Sequence, residues 1–266
     1  MEMAADGRAV DDGDEEEGEE VEVLQQGQTG PYDYVVLSGG DVAAILIRDC
    51  LAPAIIGQEV GAIDACNDRM WHSTISFGGE GLTARAVAGV DLALWDLWGK
   101  VVDQPVYRLA GGPARRSMDV YITGNDVDWG RELGFTRFKL ARPHSVYDGQ
   151  AGIDGTVELI ARTREQIGPD ADLMLDCWMA YDADYTVRMC DALRPYRMRW
   201  MEEMLKPHDW KGLQSIRQRI PWQTLATGEH WSPRWPALRA IEERLVDLIQ
   251  ADMRWVGGFT EAAKIA

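Results

Sequence analysis

The chain has 266 residues, of which 46% are hydrophobic and 27% charged, and its net charge is −17. That size supports one large or two smaller globular units with a substantial core, and no apolar run reaches the roughly 18–20 residues that span a bilayer. So negative a chain argues against nucleic acid or an anionic membrane as partner, and with no basic-then-apolar leader a cytoplasmic protein is expected.

Taken in chain order, residues 1–31 read as a disordered acidic tail. Met1 to Glu22 hold 11 acids and one Arg, and the run Asp11 to Glu20, DDGDEEEGEE, has no apolar residue to bury. From residue 32 to 116 the pattern is helical. Apolar residues recur at helical spacing from Asp41 to Leu51 and from Ile63 to His72. The clearest helix is Thr83 to Lys100, where Val87, Val90, Leu94 and Leu97/Trp98 form one stripe. Pro105 and Gly111-Gly112 then mark a boundary.

From 117 to 266 short apolar strands alternate with amphipathic helices. Strands are predicted at Met118–Thr123, Arg137–Leu140, Asp172–Asp176, Arg199–Glu202, Thr224–Gly228 and Val246–Ala251. Helices fall between them, most plainly at Gly155–Ile167, Tyr185–Leu193 and Pro236–Glu243, and another starts at Phe259. Short connections of this kind imply parallel strands with right-handed crossovers. The fold expected is α/β, a partial (β/α)₈ TIM-type barrel with about six of its eight strands. Cys50, Cys66, Cys177 and Cys190 show no CxxC spacing and read as reduced thiols.

Acids stand at the C-terminal ends of four consecutive strands: Asp176, Glu202, Glu229 and Asp252. They are 26, 27 and 23 residues apart, one strand-helix unit each time. In a parallel barrel those ends converge on the face where active sites are built. Several carboxylates placed together repel one another unless a cation intervenes, and oxygen donors suit a hard divalent ion such as Mg²⁺. Strand-end Asp is also a common helix cap, which accounts for one or two of these acids but not for Glu at two consecutive ends.

These stretches resemble a known family. AVAGVDLALWDLWGK followed by QPVYRLAGG, then LMLDCWMAYD, WMEEMLKP, TGEHW and IQADMRWVGGFTEAAKIA, is similar in order to the mandelate racemase/muconate lactonizing branch of the enolase superfamily. AGIDG and LDCWM most resemble the L-rhamnonate dehydratase group within it. The resemblance makes residues 32–116 a remnant of an N-terminal capping domain and implies Mg²⁺ held by Asp176, Glu202 and Glu229. Glu203 would support Glu202, and Asp252 would orient a catalytic His one unit further on, beyond Ala266. Lys139 in FKLA matches the first lysine of the Lys-x-Lys pair found in racemases of the branch, and Ala141 stands where the second would be.

That loss favours one-sided dehydratase chemistry, with α-proton abstraction from a sugar acid and β-elimination of water to a 2-keto-3-deoxy acid. His230, beside Glu229, is a candidate substrate contact or secondary acid. Trp178 and Trp231, also beside expected ligands, are candidates to line the pocket, with packing as the alternative. The implied partners are a small sugar acid and other copies of the chain. Another dehydratase or a racemase of the branch remains open, as does a catalytically inactive remnant. Set against the family pattern, the chain is expected to be truncated at both ends.

Overall fold

The computed structural model describes residues 23–29, 32–37 and 40–266. The acidic run Asp11 to Glu20, expected to be disordered, lies outside them. The first described elements form an antiparallel hairpin, β1 (Val23–Thr29) with β2 (Tyr32–Leu37), in register from Thr29↔Tyr32 to Gln25↔Val36, with a register shift before Val23↔Leu37. Paired backbone thus begins before the boundary expected at Tyr32. The Gln-rich first strand has little apolar alternation to announce it.

Helices follow: α1 (Gly40–Leu46), α2 (Ala52–Ile55), α3 (Ile63–Thr74), α4 (Leu82–Val101) and α5 (Val106–Leu109). The single helix predicted over Asp41–Leu51 is instead α1 running into a π-helical turn, Ile47–Leu51, with Pro53 opening α2. Proline there lacks only an amide that a first turn leaves unpaired. Leu51, Met70, Ala86 and Val87 form the small core of this unit.

The second unit is a six-stranded parallel sheet in chain order: β3 (Ile122–Thr123), β4 (Arg137–Ala141), β5 (Asp172–Asp176), β6 (Met201–Glu202), β7 (Leu225–Thr227) and β8 (Leu248–Ile249). Between and after them run α6 (Val127–Glu132), α7 (Gly149–Ile167), α8 (Ala183–Leu193), α9 (Trp210–Arg219), α10 (Trp235–Glu242) and α11 (Phe259–Ile265). This is the expected partial barrel, not closed among the described residues.

Phe138, Leu140, Leu173, Leu175, Met201 and Leu225 pack with the helices in the main core. Alternation along each strand therefore turns Lys139, Met174, Asp176, Glu202 and Ala226 to the opposite, inner face. The two edge strands are shorter than predicted. Apolar alternation runs back to Met118, but Met118 and Val120 are exposed and only Ile122–Thr123 pairs, because an edge strand has a neighbour on one side alone.

The two units are joined through α4 and α11. Asp91, fully buried on α4, accepts hydrogen bonds from Asn67 Nδ2 at 2.8 Å and the Thr260 amide at 3.0 Å, and so caps the start of α11. Trp95 Nε1 donates to Thr260 Oγ1 at 2.9 Å. Gly258 has φ +100°, and a Cβ there would run into the Asp91 carboxylate. No helix among the described residues is long and apolar enough to cross a membrane.

Candidate active site

Register brings the first two acids together. Asp176 is paired with Glu202 across β5 and β6, and Ala141 with Asp176 across β4 and β5, so these positions share the inner face at the C-terminal strand ends. Two residues back on β4, Lys139 points the same way. Its Nζ lies 2.5 Å from Glu202 Oε1 and 3.0 Å from Asp176 Oδ2. Trp200 Nε1 donates to the other Glu202 oxygen at 2.8 Å, so a carboxylate with no solvent exposure has both oxygens engaged. Burial works against the Lys139 ammonium, but the two carboxylates outweigh it and hold its pKa above the ordinary lysine value. It stays charged, as a buried ion pair must if neither partner is to be left uncompensated.

Glu203, next to Glu202, faces another way. Its φ of +43° turns the chain at the end of β6, and its carboxylate takes His230 Nδ1 at 2.8 Å and 2.9 Å. Burial lifts the Glu203 pKa; the His230 hydrogen bond opposes this, while the nearby Glu229 and Asp176 carboxylates add to it. Trp178 and Met179, just past Asp176, also have left-handed backbones at φ +39° and +62°. Non-glycine residues in that region are strained by about 1–3 kcal/mol each, and such strain gathers at functional sites. They are tied down by bonds from Cys177 N to Glu202 O at 2.9 Å and from Met179 N to Glu203 O at 2.5 Å.

An aromatic wall closes one side. His230 is 4.8 Å from Trp255 and 6.4 Å from Trp178, ring centre to ring centre. Trp178 is 60% exposed, whereas Trp231 is buried, stacks on Trp210 at 5.5 Å and donates to Pro207 O. Of the two tryptophans singled out in the sequence, Trp231 therefore packs and Trp178 faces the mouth. Asp252 is bound by its own neighbour Arg254, through the amide at 2.7 Å and the guanidinium at 3.0 Å. Burial raises its pKa, but the Arg254 contacts outweigh that and leave it below the ordinary value.

The predicted ladder is thus realised unevenly. Asp176 and Glu202 converge, but Glu229 does not join them: among the described residues no three acidic, His or Cys side chains close on one point as a metal cage. The Lys139 ammonium neutralises the pair, the part a cation plays between two adjacent carboxylates. The donor set still fits a hard divalent cation, since it is carboxylate oxygen throughout, and Asp176 and Glu202 already converge on one cation, the ammonium. Trp200 and Trp255 were not read from the sequence as contacts of the site, and Glu203, read as support for Glu202, binds His230 instead. The doublet Glu202-Glu203 carried a usable signal, because adjacent strand residues face opposite ways and each needs its own partner. A cavity of about 500 Å³ lies elsewhere, between α3 and the start of α10, and includes none of these residues.

Comparison with known proteins shows the family of the chain. Residues 21–111 match the family described as the mandelate racemase/muconate lactonizing enzyme N-terminal domain, and residues 127–266 the enolase C-terminal domain-like family. An L-rhamnonate dehydratase of Saccharopolyspora erythraea is 37% identical over 242 residues, which is 91% of this chain and 62% of that protein. The crystal structure of L-rhamnonate dehydratase from Gibberella zeae superposes with a TM-score of 0.84 at 33% identity, covering 88% of this chain and 59% of that one. Its Mg complex gives 0.83 at 32% identity, covering 88% and 60%. A racemase from Streptomyces coelicolor A3(2) with bound magnesium gives 0.79 at 26% identity, covering 88% and 66%. The chain spans about three fifths of the length of the first two of these relatives. By sequence and by fold, it belongs to the mandelate racemase/muconate lactonizing branch of the enolase superfamily.

Proposed function

We propose that this chain carries the acid-binding part of a Mg²⁺-dependent acid-sugar dehydratase resembling L-rhamnonate dehydratase. The observation that carries the reading is the pairing of Asp176 with Glu202 at adjacent strand ends around one buried cation. The 37% identity to an L-rhamnonate dehydratase over most of the chain supports it.

On this reading Asp176 and Glu202 would hold the metal together with Glu229, whose side chain would have to move in to join them. The chemistry a bound Mg²⁺ supplies is neutralisation of the charge that develops on the substrate carboxylate as the α proton leaves. Lys139 fixes the two ligand carboxylates and keeps a positive charge beside them. His230, held through Nδ1 by Glu203, presents its other ring nitrogen to the sugar and can give a proton to the departing 3-hydroxyl. Asp252 orients the histidine that takes the α proton, a residue the reading puts one strand-helix unit further along. Loss of the α proton and of the 3-hydroxyl as water leaves an enol, which becomes the 2-keto-3-deoxy acid. The partners on this reading are a sugar acid and further copies of the chain. The four unpaired cysteines, three of them buried, favour the reducing cytoplasm.

A second reading, a folded chain without turnover, is favoured by one observation: the Lys139 ammonium already neutralises Asp176 and Glu202. Mg²⁺-dependent binding of sugar acids from a panel, measured by calorimetry, separates the two. Acid binding that needs Mg²⁺ and disappears in Glu202→Gln supports the dehydratase reading; a folded chain that binds neither Mg²⁺ nor acid supports the second.

A further inference from the structure

A face built from Asp176, Glu202, Glu203, Glu229 and Asp252 repels an anionic substrate, so its cations decide how an acid is held. Most are already engaged. Lys139 is bound to Asp176 and Glu202, Arg254 pairs with Asp252, and Arg142 Nε donates to the Cys177 carbonyl at 3.1 Å. Arg85 differs. It is exposed on α4, makes no ion pair among the described residues, and lies over the Trp255 ring, 3.7 Å from its centre. Trp255 in turn meets His230, so Arg85 stands at the edge of the site while belonging to the N-terminal unit.

We propose that Arg85 is a substrate-binding residue, which reaches from the capping helix α4 to hold the oxygens of the sugar acid at the barrel mouth. The inference rests on the functional reading above. A guanidinium presents a planar fork of donors matched to a carboxylate or to neighbouring hydroxyls, and stacking on an indole fixes its plane before ligand arrives. Less rotamer freedom is then lost on binding. The electrostatic reach is present too, since Arg85 contributes to the low pKa of Asp252.

The test is binding of L-rhamnonate in Mg²⁺, measured by calorimetry on the whole chain, with the uncharged polyol L-rhamnitol as a matched probe. Arg85→Met is expected to bind L-rhamnonate roughly tenfold more weakly, the size of one charge-assisted hydrogen bond. It should bind L-rhamnitol almost as the wild type does, and Arg85→Lys should recover part of the loss. Arg85→Gln is measured alongside, so that a folding defect in Arg85→Met does not decide the matter. Equal L-rhamnonate affinity in wild type and variants overturns the inference and leaves the functional reading standing, as does an equal loss for acid and polyol, which would mark a packing role. A wild-type chain that binds Mg²⁺ but no L-rhamnonate overturns both.

Discussion

Lys139 Nζ sits 2.5 Å from Glu202 Oε1, and the two side chains come from strands that are not neighbours in the sheet. Asp176, on the strand between, completes the bridge at 3.0 Å. A buried ammonium here holds three strands in register and sets the charge of the site.

Removing Lys139 therefore strands a carboxylate that has no solvent exposure. Lys139→Met is expected to destabilise the chain by about 3–5 kcal/mol, the usual cost of breaking a buried pair by deleting one partner. Urea unfolding without metal measures this. Added Mg²⁺ should recover more stability in Lys139→Met than in the wild type, because the cation then replaces the lost charge.

Asp91 governs the joint between the units, and its titration gives stability a sign with pH. Burial raises its pKa, against the hydrogen bonds from Thr260 and Asn67 that lower it. A carboxyl whose folded pKa lies above its unfolded one binds more protons when folded. Its contribution to stability is present at low pH and declines as pH rises through the unfolded value and on to the folded one. Asp91→Asn should flatten that part of the profile. Asp91→Ala should cost about 1–3 kcal/mol at every pH, from the amide and Asn67 left without an acceptor.

Gly258 tests the same joint through the backbone. With φ +100° and no room beside Asp91, Gly258→Ala should destabilise by more than about 1 kcal/mol. Thermal melting followed by near-UV circular dichroism would report it. A melting point equal to the wild type's would mean that α11 docks without this close approach.

Much of this was legible in the sequence, for identifiable reasons. The apolar run ending in Asp176 and the regular spacing to Glu202 and Glu229 reveal strand-helix units, because each unit has a nearly fixed length. Bridging by Lys139 was not legible: it depends on the register Asp176↔Glu202 and on the offset of β4, which no local pattern encodes. Nor was the bond from His230 to Glu203, since it needs a left-handed backbone at a glutamate. The alternation at Met118–Thr123 overestimated β3, because it records side-chain character and not whether a neighbouring strand is there. The hairpin from Val23 was missed for the opposite reason: backbone pairing holds it where side chains give little alternation.

The central claim is that Asp176, Glu202 and Glu229 form a divalent-cation site, and Mg²⁺ titration calorimetry on the wild-type chain and on Glu202→Gln tests it most directly. One bound Mg²⁺ in the wild type and none in a folded Glu202→Gln is the predicted result. No binding by the folded wild type, or equal binding by both, would contradict it.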